Sequence, residues 1–136
     1  MAETFTVEAM TERRNLWGFN REDCESTYFL FIKDQICFLL EHEGKLVGAI
    51  AFIEARHLMN YSFHYAMEVM FYVEQGHRGM GAKKLLKAVE EEAKARGISE
   101  IIAAHTVGVN ERIGGFYEAC GYRLFEKQYV KDLTNG

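Results

Sequence analysis

The strongest constraint on the fold is the stretch FYVEQGHRGMGAKKLLKAVEEEAKARG, which occupies residues 71–97. It begins as an apolar, strand-like run and continues as an amphipathic helix, predicted over residues 81–96, with Gly97 suited to the position after the helix end. The following segment, ISEIIAAHTV, predicts another strand. A strand, a helix and a strand in this order form a crossover that places the two strands side by side and parallel.

Glycines and cations meet where this helix starts: Gly76, Gly79 and Gly81 alternate with residues that include Arg78 and Lys83. The first turn of a helix leaves N–H groups unpaired and carries a partial positive charge. Glycines let an anion approach these N–H groups without a Cβ in the way. The turn therefore predicts a pyrophosphate site. The simpler alternative is a plain strand-to-helix turn with solvated lysines.

Two common phosphate motifs fit this turn poorly. The glycine spacing departs from the dinucleotide pattern G-x-G-x-x-G, and the chain shows no second β-α-β half. The P-loop pattern G-x-x-x-x-G-K-[ST] is matched at Gly76 and Gly81, but Ala82 intrudes, and Lys84 stands where a Ser or Thr would hold Mg²⁺. A nucleotide-binding protein is therefore only the third interpretation.

Shorter patterns predict the elements on either side of the crossover. Before it we expect a strand at residues 4–10 and a helix within 20–33 that is capped by Asn20. A hairpin should follow, with strands 36–41 and 46–54 and a turn at Glu43–Gly44. A polar loop over 56–64 then leads to a strand at 66–73. After it we expect a helix over 111–119, capped by Asn110, and a last strand over 122–133. The sequence thus predicts one α/β domain, residues 1–136, with a mixed sheet.

Composition excludes several classes of function. The net charge of -4 argues against a general nucleic-acid or anionic-membrane binder, which needs a basic surface. The chain has no 18-residue apolar run of the kind that spans a membrane. Three widely spaced cysteines indicate a reducing compartment, and we expect a cytoplasmic protein. The run EHE, at residues 41–43, lacks a third ligand, so we predict no metal site.

Several segments together resemble a known family. HRGMGAKKLLKAVEEEAKARG resembles the acetyl-CoA-binding segment of the GNAT superfamily of N-acyltransferases, whose motif is roughly (Gln/Arg)-x-x-Gly-x-(Gly/Ala). Arg78 to Ala82 fill its first five places, and Lys83 stands where a small residue is usual. EHEGKLVGAIAF, EVMFYVEQGHRG and NERIGGFYEACGYRLFEKQYVKDL resemble the family's hairpin, central strand and C-terminal motif. The small phage-type members are the most similar, and the likeness covers residues 37–133.

This resemblance implies a GNAT-like fold that binds acetyl-CoA in its β-α-β unit. The pyrophosphate would rest on the N–H groups of the glycine turn, formed by Arg78, Gly79, Met80, Gly81, Ala82 and Lys83. The pantetheine arm would pair with strand backbone, splayed away from residues 101–105, at Phe71, Tyr72 and Val73. Asn110 would either hydrogen-bond the cofactor or cap its helix.

The resemblance also implies an enzyme that transfers the acetyl group directly to a primary amine. Tyr117 matches the family's general acid, because a phenol stays protonated at neutral pH and can donate to a departing thiolate. Glu68 is the candidate base or water-positioning carboxylate, although a bulge in its strand would change the face it occupies. Glu54 and His105 are lesser candidates. Structural alternatives are a packed aromatic at 117 and a solvated carboxylate at 68.

The predicted partners are a small-molecule or peptide amine and, since dimers are common in the family, a second copy of the chain. The acceptor site would be built from the N-terminal segment and the 56–65 loop, which carry no diagnostic motif. The alternative function is a catalytically inactive GNAT-like module that binds CoA or a protein partner. The unusual Lys83 and the short N-terminal region leave that alternative open.

Overall fold

A computed structural model describes residues 20–105 and 111–134. In chain order the elements are α1 (Arg21–Asp34), β1 (Ile36–His42), β2 (Lys45–His57), β3 (Asn60–Val73), a 3-10 turn (Gln75–His77), α2 (Met80–Ala95), β4 (Glu100–Ile102) and α3 (Arg112–Ala119). The strands form one sheet in the order β1-β2-β3-β4, antiparallel except for the parallel pair β3–β4. The predicted mixed sheet with its β-α-β unit is confirmed. The predicted strand at 4–10 lies outside the described residues.

Helix α1 begins at the predicted cap. The side-chain oxygen of Asn20 accepts a hydrogen bond from the backbone N–H of Asp23 at 3.0 Å, which satisfies one of the unpaired donors of the first turn. One side of α1 packs Tyr28 and Phe31 against a small cluster of buried residues on the sheet, Ala49, Ala51 and Met70. The Tyr28 hydroxyl donates to Met70 Sδ at 2.7 Å, and burial raises the pKa of Tyr28 to about 12.

The β1–β2 hairpin also forms as predicted. Its two turn residues, Glu43 and Gly44, have φ angles of 51° and 75°. Positive φ at both central residues gives the mirror-image turn whose twist matches that of the flanking strands. The hairpin is longer than the sequence suggested, because β2 continues to His57.

The loop predicted over residues 56–64 is wrong. The antiparallel ladder continues with Ala55 opposite Tyr65 and Arg56 opposite His64, so only Leu58 and Met59 separate the two strands. The aromatic residues Tyr61 and Phe63 continue the alternation of the strand that follows, and their β propensity outweighs the polar residues around them.

Helix α2 covers one face of the sheet, as its periodicity predicts. Its buried side chains pack against the sheet residues Ile50 and Phe52 and are Ala82, Leu85, Leu86, Val89 and Ala93. The helix ends at a glycine with positive φ, since Gly97 has a φ of 75° and the next N–H, of Ile98, bonds back to the carbonyl of Ala93 at 2.9 Å.

The predicted last strand is also wrong. Residues 122–133 have no strand partner in the described part of the chain, and all of residues 123–134 are exposed. A strand exists only when a neighbour completes its ladder. The predicted strand ISEIIAAHTV is also shorter than expected, because β4 is only three residues long. No helix among the described residues is both long and apolar enough to cross a membrane.

Candidate active site

Strands β3 and β4 pair briefly and then separate. Their parallel register runs from Tyr65 opposite Glu100 to Met67 opposite Ile102. Strand β3 continues to Val73, with no further β4 partner in the described residues. Backbone groups along this edge can therefore pair with an extended ligand. The three predicted pantetheine-contacting residues, Phe71, Tyr72 and Val73, lie on this stretch of β3.

A β-bulge determines which way Glu68 points. Ala51 of β2 lies opposite Met70, whereas the next residue, Phe52, lies opposite Glu68, so Val69 is an extra residue in β3. An extra residue reverses the alternation of faces along a strand. Glu68 therefore shares the α2 face of the sheet with Phe71, although the two are three positions apart.

Glu68 and Tyr117 are brought together in the opening between the strands. The Tyr117 hydroxyl, on α3, donates a hydrogen bond to Glu68 Oε1 at 2.6 Å. Burial raises the pKa of Glu68 to about 7, even though this bond and a second one from the backbone N–H of Ala104 favour its charged form. Burial, followed by the charge of Glu68, raises the pKa of Tyr117, so the phenol stays protonated at neutral pH.

Aromatic rings surround Tyr117 and hold it in place. Its ring centroid lies 5.6 Å from that of Tyr122, 5.8 Å from Phe116 and 6.4 Å from Phe71. Tyr117 is only 7% exposed, and it is the one buried residue of α3. Its ring is thus part of the core, while its hydroxyl donates a hydrogen bond to the Glu68 carboxylate. The structural and functional interpretations of Tyr117 are compatible.

The start of α2 presents unpaired N–H groups, as predicted. Gly79 precedes the helix, and no side chain caps it. The first intrahelical bond runs from the N–H of Lys83 to the carbonyl of Gly79 at 3.0 Å, so the N–H groups of the residues between, Met80, Gly81 and Ala82, have no acceptor within the helix. The exposed ammonium of Lys83 lies on the same first turn. This donor set fits the pyrophosphate of acetyl-CoA.

Two glycines of this turn also have a structural role. A Cβ on Gly81 would lie 2.6 Å from Cδ2 of Leu40, so the missing side chain lets α2 pack closely on β1. Gly79 has open space around it but a φ of 88°, a conformation that L-residues with side chains rarely adopt. Gly81 thus favours close packing of α2 on β1, and Gly79 supplies the positive φ of the turn. The access for a phosphate stays a prediction.

Arg78 is anchored to the strand rather than free. Its Nε donates to the carbonyl of Val73 at 2.6 Å, and its guanidinium carbon lies 5.7 Å from the centre of the Tyr72 ring. These contacts tie the glycine turn to the end of β3. The contact of Arg78 with the pyrophosphate stays a prediction.

The other candidate residues have partners of their own. Glu54 contacts His64 Nδ1 at 3.0 Å and Arg96 at 3.8 Å, beside a cavity of about 310 Å³ lined by Asp34, Gln35, Glu54, Ala55, Arg56 and His64. His105 Nε2 lies 3.7 Å from a carboxylate oxygen of Glu111. Asn110 lies outside the described residues.

Sequence reasoning missed two groups of the site. The backbone N–H of Ala104 bonds Glu68, and the hydroxyl of Tyr122 bonds Glu90 Oε2 at 3.1 Å behind Tyr117. A backbone donor has no sequence signature, and the Tyr122–Glu90 contact joins residues 32 positions apart. Only the folded structure shows that the chain after α3 lies beside α2.

Solved structures share this fold. An aminoglycoside acetyltransferase from an uncultured soil metagenomic sample has a TM-score of 0.73 at 20% identity, over 97% of this chain and 90% of that one. Glucosamine-6-phosphate N-acetyltransferase from Arabidopsis thaliana has a TM-score of 0.69 at 17% identity, over 96% and 92%. AAC(6')-Iy, in complex with the bisubstrate analogue CoA-S-monomethyl-acetylneamine, has a TM-score of 0.70 at 18% identity, also over 96% and 92%. No curated protein sequence is significantly similar to the chain.

The family itself is established by sequence. The profile of the acetyltransferase (GNAT) family matches residues 6–122 of the 136-residue chain. The matched range contains the β-α-β unit, the open start of α2 and the segment that carries Tyr117. The chain therefore belongs to the acetyltransferase (GNAT) family, and it is an acetyl-CoA-dependent N-acetyltransferase.

Proposed function

We propose that this protein transfers the acetyl group of acetyl-CoA directly to a primary amine, with Glu68 as the base and Tyr117 as the acid. The observation that carries the proposal is the 2.6 Å hydrogen bond between these two side chains. The bond lies where the pairing of β3 with β4 ends, and β3 continues from there toward the open start of α2. An acid and a base are the groups that acyl transfer to an amine requires.

The residues around the glycine turn would hold the cofactor. Bound acetyl-CoA supplies an activated acetyl thioester with a thiolate leaving group. The N–H groups of Met80, Gly81 and Ala82, with the charge of Lys83, would bind its pyrophosphate. The β3 edge at Phe71, Tyr72 and Val73 would pair with the pantetheine amides. Gly79 and Arg78 would keep the turn in shape, and the cofactor contact predicted for Asn110 remains a prediction.

The ionisation of the two side chains suits the transfer. An unperturbed primary amine has a pKa of about 10 and is mostly protonated at neutral pH, so a base must take a proton before or during attack. Glu68, with its pKa raised to about 7, accepts a proton more readily than an ordinary carboxylate. Tyr117 is protonated throughout the neutral range and can donate to the departing sulfur.

A small-molecule or peptide amine is the proposed acceptor. The net charge of -4 favours a cationic amine over an anionic one. The names of two structural neighbours specify an aminoglycoside and an amino sugar phosphate as acceptors. We propose a cytoplasmic location, because Cys24, Cys37 and Cys120 are all free thiols. The homodimer stays a prediction that light scattering can test.

The experiment is an acceptor screen with the purified protein. Acetyl-CoA is mixed with an aminoglycoside, with glucosamine 6-phosphate or with a short peptide that has a free N-terminal amine, and released thiol and product mass are followed. The proposal predicts a product one acetyl group heavier for at least one amine. It also predicts an unchanged protein mass when acetyl-CoA is supplied alone, because direct transfer forms no acetyl-enzyme. Binding of acetyl-CoA without transfer to any amine would instead favour the inactive module.

A further inference from the structure

We propose that Glu68 and Tyr117 form one proton relay, an inference that rests on the proposed function. In this relay the proton leaving the amine and the proton reaching the sulfur are coupled through a single hydrogen bond. The alternative is a base and an acid that act independently, each exchanging its proton with water. The two arrangements predict different losses of the transfer rate when both residues are changed.

The direction of the hydrogen bond supports the relay. Tyr117 donates its only hydroxyl proton to Glu68 Oε1 at 2.6 Å, so that proton points to the carboxylate. When Tyr117 gives this proton to another acceptor, its oxygen needs a replacement, because burial raises the pKa of Tyr117 and so disfavours the phenolate. A protonated Glu68 at hydrogen-bond distance is placed to supply it.

Among the described residues, the rings around Tyr117 offer its hydroxyl no second proton donor. The rings of Phe71 and Phe116 contact the Tyr117 ring and carry no exchangeable proton. The Tyr122 ring also lies beside that of Tyr117, but its hydroxyl is bonded to Glu90 on α2. The chain after β4 contributes the backbone N–H of Ala104, which donates to the carboxylate but does not titrate.

The bulge makes the contact part of the fold. Val69 turns Glu68 to the α2 face, and Phe71, on that same face, contacts the Tyr117 ring with centroids 6.4 Å apart. The carboxylate and the phenol are therefore held by β3 and α3 independently of any bound substrate. Such preorganisation lowers the reorganisation needed during transfer.

The proton balance of the relay closes without water. As the neutral amine attacks, the new C–N bond forms and the nitrogen gives a proton to Glu68. The bond between the acetyl carbon and sulfur breaks, its electron pair stays on sulfur, and Tyr117 gives sulfur its hydroxyl proton. Protonated Glu68 then returns a proton to the Tyr117 oxygen. The products are an amide and a free thiol, and both side chains end as they began.

A double-mutant cycle tests the relay. The rate of the transfer step is measured at saturating acetyl-CoA and amine for Glu68→Gln, Tyr117→Phe and the combined variant. Each single change should lower the rate about 10²–10⁴-fold, the usual worth of a general acid or base. The relay predicts that the combined variant is no slower than the slower single variant, within about threefold. If the wild type is active and the combined variant loses rate by the product of the two single factors, the relay is overturned but the proposed function is not.

A second readout needs no turnover. The Glu68 carboxyl is titrated by NMR in the free protein and in Tyr117→Phe, with Tyr129→Phe as the control at an exposed tyrosine. Loss of a bond that favours the carboxylate should raise the pKa of Glu68 in Tyr117→Phe only. An unchanged pKa would show that the bond is absent in solution and would overturn the relay. A wild-type protein that acetylates no amine would overturn the proposed function and the relay with it.

Discussion

The hydroxyl of Tyr122 donates a hydrogen bond to Glu90 Oε2 of α2 at 3.1 Å. The Tyr122 ring lies beside that of Tyr117, and the backbone N–H of Tyr122 bonds to the carbonyl of Tyr117 at 2.9 Å. The chain that follows α3 is thereby fixed to the helix that starts at the glycine turn. We therefore expect Tyr122 to position Tyr117, chiefly through the packing of the two rings.

Removing the Tyr122 ring should reduce turnover more than binding. We expect Tyr122→Ala to lower kcat about tenfold or more with little change in the KM for acetyl-CoA, because Tyr117 loses a packing neighbour. Tyr122→Phe keeps the ring and loses only the bond to Glu90, so it should retain most of the wild-type kcat. Steady-state kinetics of the two variants checks this, and equal losses in both would contradict a role carried by the ring.

Glu68 should make the protein less stable as the pH rises from about 4.5 to about 7. Its folded-state pKa, about 7, is above the ordinary value of 4.5, so the folded protein holds a proton that the unfolded chain has lost in this window. The free energy of unfolding should fall by about 1–3 kcal/mol over this range and level off above it. Other groups also titrate here, so the measurement is the difference between wild type and Glu68→Gln in urea unfolding. A difference independent of pH would contradict the raised pKa.

Reversing one charge at the start of α2 should weaken acetyl-CoA binding. Lys83→Glu places an anion beside the N–H groups proposed to hold the pyrophosphate, and we expect the Kd for acetyl-CoA to rise at least tenfold. Lys94→Glu makes the same change of charge in the last turn of the same helix and should leave the Kd within about twofold. Calorimetric titration of both variants decides the matter. Equal weakening by the two would indicate a general charge effect instead of a local site.

Replacing Gly79 by alanine should destabilise the protein, whereas the same replacement at Gly76 should not. Gly79 has a φ of 88°, so Gly79→Ala should lower the free energy of unfolding by about 1–3 kcal/mol through backbone strain. Gly76 has neither a positive φ nor any atom within 4 Å of a built Cβ, so Gly76→Ala should change stability by less than about 0.5 kcal/mol. Denaturant unfolding compares them, and equal effects would contradict the assigned backbone requirement.

Local pattern was enough to predict the elements that depend on nearby residues. The cap at Asn20, the turn at Glu43–Gly44 and the apolar stripe of α2 each follow from side chains within a few positions. The family motifs directed attention to Glu68 and Tyr117, 49 positions apart. Their contact depends on the fold of β3 and α3.

Features that depend on a distant neighbour were the ones missed. Residues 122–133 contain residue types that are common in strands, such as Tyr122, Phe125 and Val130. No pattern within the segment shows whether a partner strand is present. The bulge at Val69 arises from the register against β2, which leaves no mark in the sequence of β3. The bond from Ala104 uses a backbone N–H, which every residue but proline has. Gly81 is explained only by Leu40, on another element.

The most direct test of the account is a comparison of Tyr117→Phe with wild type in two measurements on the same samples. Calorimetry gives the Kd for acetyl-CoA, and product formation with the best amine of the screen gives the rate of transfer. We expect Tyr117→Phe to have a Kd within about threefold of wild type and a transfer rate lowered about 10²–10⁴-fold. The control variant Tyr129→Phe should be unchanged in both. A Tyr117→Phe protein that transfers acetyl groups as fast as wild type would contradict the assignment of this pair as the catalytic centre.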